Sequence, residues 1–205
     1  MRLRQTRLPS VSFTAEDNAI DYLRQACFFA KQALHRPARW KWVVIALHGA
    51  VYGFAVCASY GTNYESVIQA APKRRKKLMA GQFHGRSPLA GARLVSFDDA
   101  LRQSGVVLKE SEADSIRRLA KVFRNHFEHF VPVSWMILVD GMPRITADGL
   151  EVVRRLSTIG QTSRRLGASS MRSIDLLVSR TKNRLLDSRL HRDWGSGRAA
   201  GGRDT

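Results

Sequence analysis

Apolar residues recur at three- and four-residue spacing through most of this chain, the period of helices buried on one side. In residues 15–34, AEDNAIDYLRQACFFAKQAL, one stripe holds Ile20, Leu23, Cys27, Ala30 and Leu34. Thr14 followed by Asp17 is a variant of the capping box, so a helix is predicted to start there and to break at Pro37. Ser96 with Asp99 predicts a cap for a short helix, FDDALRQS. Ser111 with Asp114 predicts another for the longer EADSIRRLAKVFRNHFEHF. Gly61 reads as a C-cap, and NYESVIQA as a short helix ahead of Pro72. Two further helices are expected in TADGLEVVRRLSTIGQTSRRL and MRSIDLLVSRTKNRLL. Between them and the long helix, VPVSWMILVDGMPRI alternates only weakly and reads as extended near 133–139. The sum is an all-α bundle of about five helices, one domain over residues 14–186, with a basic disordered tail over 187–205.

One segment breaks the amphipathic pattern. From Val43 to Tyr60 the chain is apolar over 18 residues, His48 being the strongly polar interruption, with Gly49 and Gly53 in GxxxG spacing. Such a length sits at the lower edge of a membrane span, and GxxxG packs membrane helices. The shortness, the central histidine and the lack of a second such segment favour a helix buried at the centre of a bundle, where small residues let neighbours approach closely. No membrane partner is therefore expected. Trp40, Trp42, Tyr52 and Trp135 are expected to pack in or around the core.

Composition changes the picture through charge. The 205 residues carry 34 Lys and Arg against 17 Asp and Glu, a net +17. That imbalance favours a polyanionic partner, nucleic acid first. Lys73, Arg74, Arg75, Lys76 and Lys77 form an unbroken cationic run that reads as a solvated loop or a grip on backbone phosphates. From Glu151 onward twelve Lys and Arg face five Asp and Glu, and Trp194 there is a stacking candidate. Cys27 and Cys57 lie in apolar segments and read as buried free thiols. MRLRQTRLPSVSFTAEDNAIDYL has no apolar run of signal-peptide length, and a cytoplasmic location is expected.

The chemistry concentrates at residues 121–132, KVFRNHFEHFVP. On a straight α-helix, Ile116, Leu119, Ala120, Phe123, Phe127 and Phe130 fall within about 60° of the core direction. Arg124 then lies at about 80°, Glu128 at about 120°, Asn125 at about 180°, His129 at about 220° and His126 at about 280° from it. The arginine, asparagine and His129 are thus expected to face outward or into a groove. Arginine clamps a phosphodiester with a permanent charge. Histidine exchanges a proton near neutral pH, and asparagine orients either group. These parts suffice for RNA cleavage by attack of a 2′-hydroxyl on the adjacent phosphate, without a cofactor. The competing reading is a solvated helix face with an Arg124–Glu128 pair. His126 and His129 are three apart, but no third ligand and no HExxH or CxxC spacing accompanies them, so no metal site is expected.

Arg124-Asn125-x-x-x-His129 resembles the R-x4-6-H signature of the HEPN superfamily, helical-bundle proteins of bacterial conflict systems and RNA processing. There a polar residue commonly follows the arginine and the motif closes a long helix, as Asn125 and the approach to Pro132 do here. The resemblance spans about residues 15–165 and implies an all-α fold, a homodimer that joins two motifs at one cleft, and metal-independent RNase activity. Arg124 would clamp the scissile phosphate, His129 would serve as general acid and base, and Asn125 would orient them. His126, Glu128 and His48 are accessory candidates, His48 as a polar group lining the cleft opposite Arg124 or else as a satisfied core histidine. An antitoxin protein is a further implied partner. The family also holds members that only bind RNA or protein, which is the alternative function.

Overall fold

The structure, a computed structural model, describes residues 11–60, 64–69, 93–129, 132, 134 and 136–193. Helix α1 (Ala15–Ala33) starts at the predicted cap: the Asp17 N–H donates to Thr14 Oγ1 at 3.0 Å and the Thr14 hydroxyl donates back to Asp17 Oδ2 at 2.7 Å. Caps of this kind stabilise a helix by about 1 kcal/mol. A 3₁₀ turn, Pro37–Arg39, leads into α2 (Trp40–Ser59). A second 3₁₀ turn, Tyr64–Val67, ends in β1 (Ile68–Gln69), which pairs antiparallel with β2 (Arg93–Leu94). Helix α3 (Phe97–Ser104) is capped by Ser96 and closed by Gly105 at φ +72°. Next comes α4 (Glu110–Arg117), followed without interruption by a π-helical segment, Arg118–Phe123, and by α5 (Arg124–Glu128). Helices α6 (Met142–Thr158) and α7 (Gly160–Leu186) complete the bundle, which among the described residues is all-α apart from the two-residue strand pair.

Helix α2 is the centre. Leu47, Ala50, Val51, Phe54 and Ala55 are fully buried, and α1, α3, α6 and α7 all pack on it. Full burial of a leucine or phenylalanine contributes about 1.5–3 kcal/mol. Among the described residues this is the one helix long and apolar enough to cross a membrane, and 56% of its apolar window is buried inside the bundle. Its glycines set the distance to α1. A Cβ on Gly53 would lie 2.9 Å from Ala19 Cβ, and one on Gly49 would lie 2.6 Å from the Tyr22 ring. The GxxxG spacing therefore serves close packing against α1, Gly53 over Ala19 and Gly49 over the Tyr22 ring.

Several elements depart from the sequence reading. The long helix begins at Glu110, not after Ser111, because the Glu112 carboxylate accepts the Lys109 N–H at 2.8 Å. The segment read as a helix before Pro72 is a 3₁₀ turn and a strand, whose partner β2 lies far along the sequence. Helix α6 starts at Met142, four residues before the expected Thr146, with Pro143 in its first turn where a missing N–H costs nothing. It ends at Thr158, because Gly160 adopts φ +53°. Gly167, at φ +70°, then kinks α7. Residues 136–139 form no strand. Residues 189–193 are helical, and Leu190 packs on the core, so order extends past the expected tail boundary at Asp187. Trp40 is fully buried, but Trp42 is exposed. Gly61, Phe130, Trp135 and Trp194 lie outside the described residues.

Two polar ties fix α4, and with it the candidate stretch that follows, against α6. The buried Glu112 carboxylate accepts from Arg155 Nη2 at 2.5 Å. The Ser115 hydroxyl donates at 2.7 Å to Asp148, which also accepts from Arg144 Nε at 3.1 Å. Leaving any one of these buried carboxylates unpaired would cost several kcal/mol.

Candidate functional site

The π-helical segment decides which side chains reach the cleft. At its end the Arg124 N–H donates to the Leu119 carbonyl, five residues back, instead of to the carbonyl four back. A π segment of this kind inserts about one extra residue and turns everything after it by about 100° relative to a straight α-helix. Arg124 and Glu128 are thereby carried inward, toward the bundle. Phe127, expected in the core, is only partly buried, and His126 is exposed. The straight-helix projection above is corrected on these points.

Arg124 and Glu128 line a cavity of about 400 Å³ whose other walls come from α1, α2 and β2: Asn18, Tyr22, His48, Tyr52 and Leu94 among them. Arg124 Nη2 pairs with Glu128 Oε2 at 2.5 Å, and both side chains are about one-third exposed. Arg124 Nη1 also donates to Asn125 Oδ1 at 3.2 Å, while Asn125 Nδ2 donates to the Lys121 carbonyl at 3.1 Å. Asn125 is thus tied to the helix and holds the guanidinium in turn. Arg124 Nε is buried with no hydrogen-bond partner.

His48 enters the same cavity from α2. Its ring stacks on Phe97 at 4.6 Å and lies 6.4 Å from the Tyr52 ring. Burial lowers its pKa to about 4, the Arg124 charge adding to the shift and Glu128 opposing it. At neutral pH the ring is therefore an uncharged proton acceptor beside a guanidinium. Tyr52 is fixed by a 2.6 Å hydrogen bond from its hydroxyl to the Val95 carbonyl.

The remaining sequence candidates are placed differently. His126 Nδ1 lies 2.6 Å from the Val122 carbonyl, on the exposed face. His129 is exposed at the end of α5, where the backbone has already left helical geometry at φ −118°, ψ 53°. Within one chain, then, Arg124, Asn125, Glu128 and His48 form a connected group, and His129 stands outside the cavity. The cationic run Lys73, Arg74, Arg75, Lys76 and Lys77 lies outside the described residues. Among the described residues no three His, Cys, Asp or Glu side chains cluster as a metal site. Cys27 and Cys57 are buried and free, and burial pushes the Cys57 thiol up to about 12.

Sequence reasoning missed Tyr22, Asn18 and Tyr52 as cavity walls. Tyr22 and Asn18 sit one turn apart on the polar side of α1, and only the closeness that Gly49 and Gly53 allow brings that side to the cleft. Compared with known protein families, characterised proteins and solved structures, the chain matches none.

Proposed function

We propose that this protein is a HEPN-like, metal-independent endoribonuclease that works in the cytoplasm as a homodimer, in a bacterial toxin–antitoxin or defence system. The observation that carries the reading is Arg124, half-buried at a cavity mouth and held by Asn125, with His129 exposed at the end of the same helix. In the proposed reaction a histidine takes the proton of a ribose 2′-hydroxyl, and the oxygen attacks the adjacent phosphorus. The bond to the 5′-oxygen breaks, that oxygen receives a proton, and a 2′,3′-cyclic phosphate remains. Arg124 carries the charge that builds on the phosphoryl oxygens, exchanging Glu128 for phosphate as it does so. Since His129 does not face the cavity of its own chain, a second copy completes the site by setting two such helix ends against each other.

The test is incubation of purified protein with cellular RNA in EDTA, beside Arg124→Ala and His129→Ala. Cyclic-phosphate fragments from wild type, reduced at least a hundredfold in each variant, are expected. Full cleavage by both variants would overturn the assignment.

A second reading has its own observation. The Arg124–Glu128 ion pair occupies the clamp, as suits a module that binds RNA or a partner protein without cutting. It predicts salt-sensitive RNA binding and intact RNA in the same experiment.

A further inference from the structure

Phe28, Phe29 and Trp42 form one aromatic patch where α1 ends and α2 begins. Phe28 meets Phe29 edge to face with centroids 5.3 Å apart, and Phe29 lies 6.2 Å from Trp42. Phe28 is 54% exposed and Trp42 43%. Large rings left open side by side mark an interaction surface more often than scattered apolar residues do.

The surroundings say what kind of partner fits. Lys41 Nζ lies 5.2 Å from the centre of the Trp42 ring. Lys31 closes the last turn of α1, and Arg39 ends the 3₁₀ turn. From residue 22 through residue 64 the sequence has five Lys and Arg and no Asp or Glu. A set of rings, two of them exposed, in a stretch of sequence that carries cations and no acid, matches unpaired bases and their phosphates: each base offers a face to stack, and each phosphate a charge to neutralise. A lipid surface would instead reward a broad aliphatic face with cations on the other side, and here the exposed apolar groups are rings, with the Lys41 ammonium over one of them.

Position supports the same occupant. Phe29 lies seven residues beyond Tyr22 on α1, and Trp42 seven before Gly49 on α2, so these two rings continue the face that carries the cavity, with Phe28 to one side of it. Seven residues of helix are about 10 Å, a separation that a few extended nucleotides bridge.

We propose that Phe28, Phe29 and Trp42, with Lys31, Arg39 and Lys41, form a stacking platform for single-stranded RNA that is separate from the Arg124 cleft. The platform grips bases without regard to sequence and feeds or retains a strand that passes along the α1–α2 face.

The test is fluorescence anisotropy with a labelled 2′-O-methyl oligonucleotide, which has no free 2′-hydroxyl and cannot be cut by the proposed reaction. Failure of the cleavage reading therefore leaves this experiment intact. Phe28→Ala and Trp42→Ala are each expected to weaken binding of the single strand by about five- to 150-fold, with little effect on a duplex whose bases are already stacked. Wild-type affinity in both variants would overturn the proposal, as would equal losses for single strand and duplex. Loss of binding to phosphatidylserine vesicles with unchanged oligonucleotide affinity would assign the patch to a membrane instead. Tryptophan emission provides a check that does not depend on the alanine variants folding. Quenching by the oligonucleotide in wild type is expected to be reduced in Trp42→Phe, and an undiminished quench there would remove Trp42 from the platform.

Discussion

Arg124 and Glu128 neutralise each other at the mouth of the cavity, so the carboxylate is both a support for the guanidinium and a competitor of any phosphate. Glu128→Gln keeps the side-chain shape and removes the competing charge. Equilibrium titrations against salt are expected to show tighter binding of single-stranded RNA by Glu128→Gln and a log–log slope steeper by about 0.7, one more phosphate neutralised. An unchanged slope would mean that Arg124 does not meet phosphate. His48 gives a second residue-level expectation. Its ordinary pKa of 6.5 falls to about 4 in the fold. Above pH 6.5 both folded and unfolded chains hold it neutral, and its contribution is fully present. Between 6.5 and 4 the unfolded chain takes up a proton that the folded chain refuses, so stability falls with pH and the loss is complete below about 4. The difference amounts to about 3 kcal/mol. Urea unfolding from pH 7 to 4 is expected to show a steeper loss for wild type than for His48→Gln, and parallel curves would contradict the assignment.

Among the elements, the GxxxG pair separates two kinds of crowding. The hypothetical Cβ on Gly49 makes the shorter contact, but it meets the ring of Tyr22, which is 39% exposed and free to swing aside. The one on Gly53 meets Ala19, whose side chain and backbone are wholly buried between the helices. Alanine gains about 1 kcal/mol over glycine in a helix, whereas overpacking a rigid site costs about 1–3 kcal/mol. Thermal unfolding is therefore expected to leave Gly49→Ala near wild type and to show Gly53→Ala destabilised by about 1–2 kcal/mol. The helices themselves were legible because capping and periodicity are local: Thr14 with Asp17 and Ser96 with Asp99 act over three residues and fold as read. The π-helical segment was not, because RLAKVF carries no proline or glycine to announce it. That one extra residue is why Arg124 and Glu128 face the cleft while His126 does not.

Across the whole molecule, the all-α bundle and the buried centre helix followed from hydrophobic patterning, since an 18-residue apolar run in a highly charged chain has few places to go. The site was legible only in part. Arg124, Asn125 and Glu128 are neighbours on one helix and could be read together, whereas His48 was left between a core histidine and a group lining the cleft opposite Arg124. Tyr22 and Phe29 needed knowledge of which face of α1 meets α2, which depends on contacts between elements. Trp42, expected in or around the core, packs at its edge against Phe29 and stays exposed beside the buried Trp40, which depends on the 3₁₀ turn that sets the start of α2. One tie spans nearly the whole chain. The Glu16 carboxylate at the start of α1 accepts from the Tyr60 hydroxyl at 2.8 Å and from Arg165 Nε, while Arg165 Nη2 donates to the Cys57 carbonyl at 2.7 Å. Burial alone would raise the Glu16 pKa, yet Tyr60 and Arg165 outweigh it and hold the carboxyl below its ordinary value. During synthesis, therefore, the Glu16 carboxylate is made 149 residues ahead of the cation that pairs with it. A nascent chain that has not yet reached residue 165 has α1 and α2 in hand without the group that joins their ends.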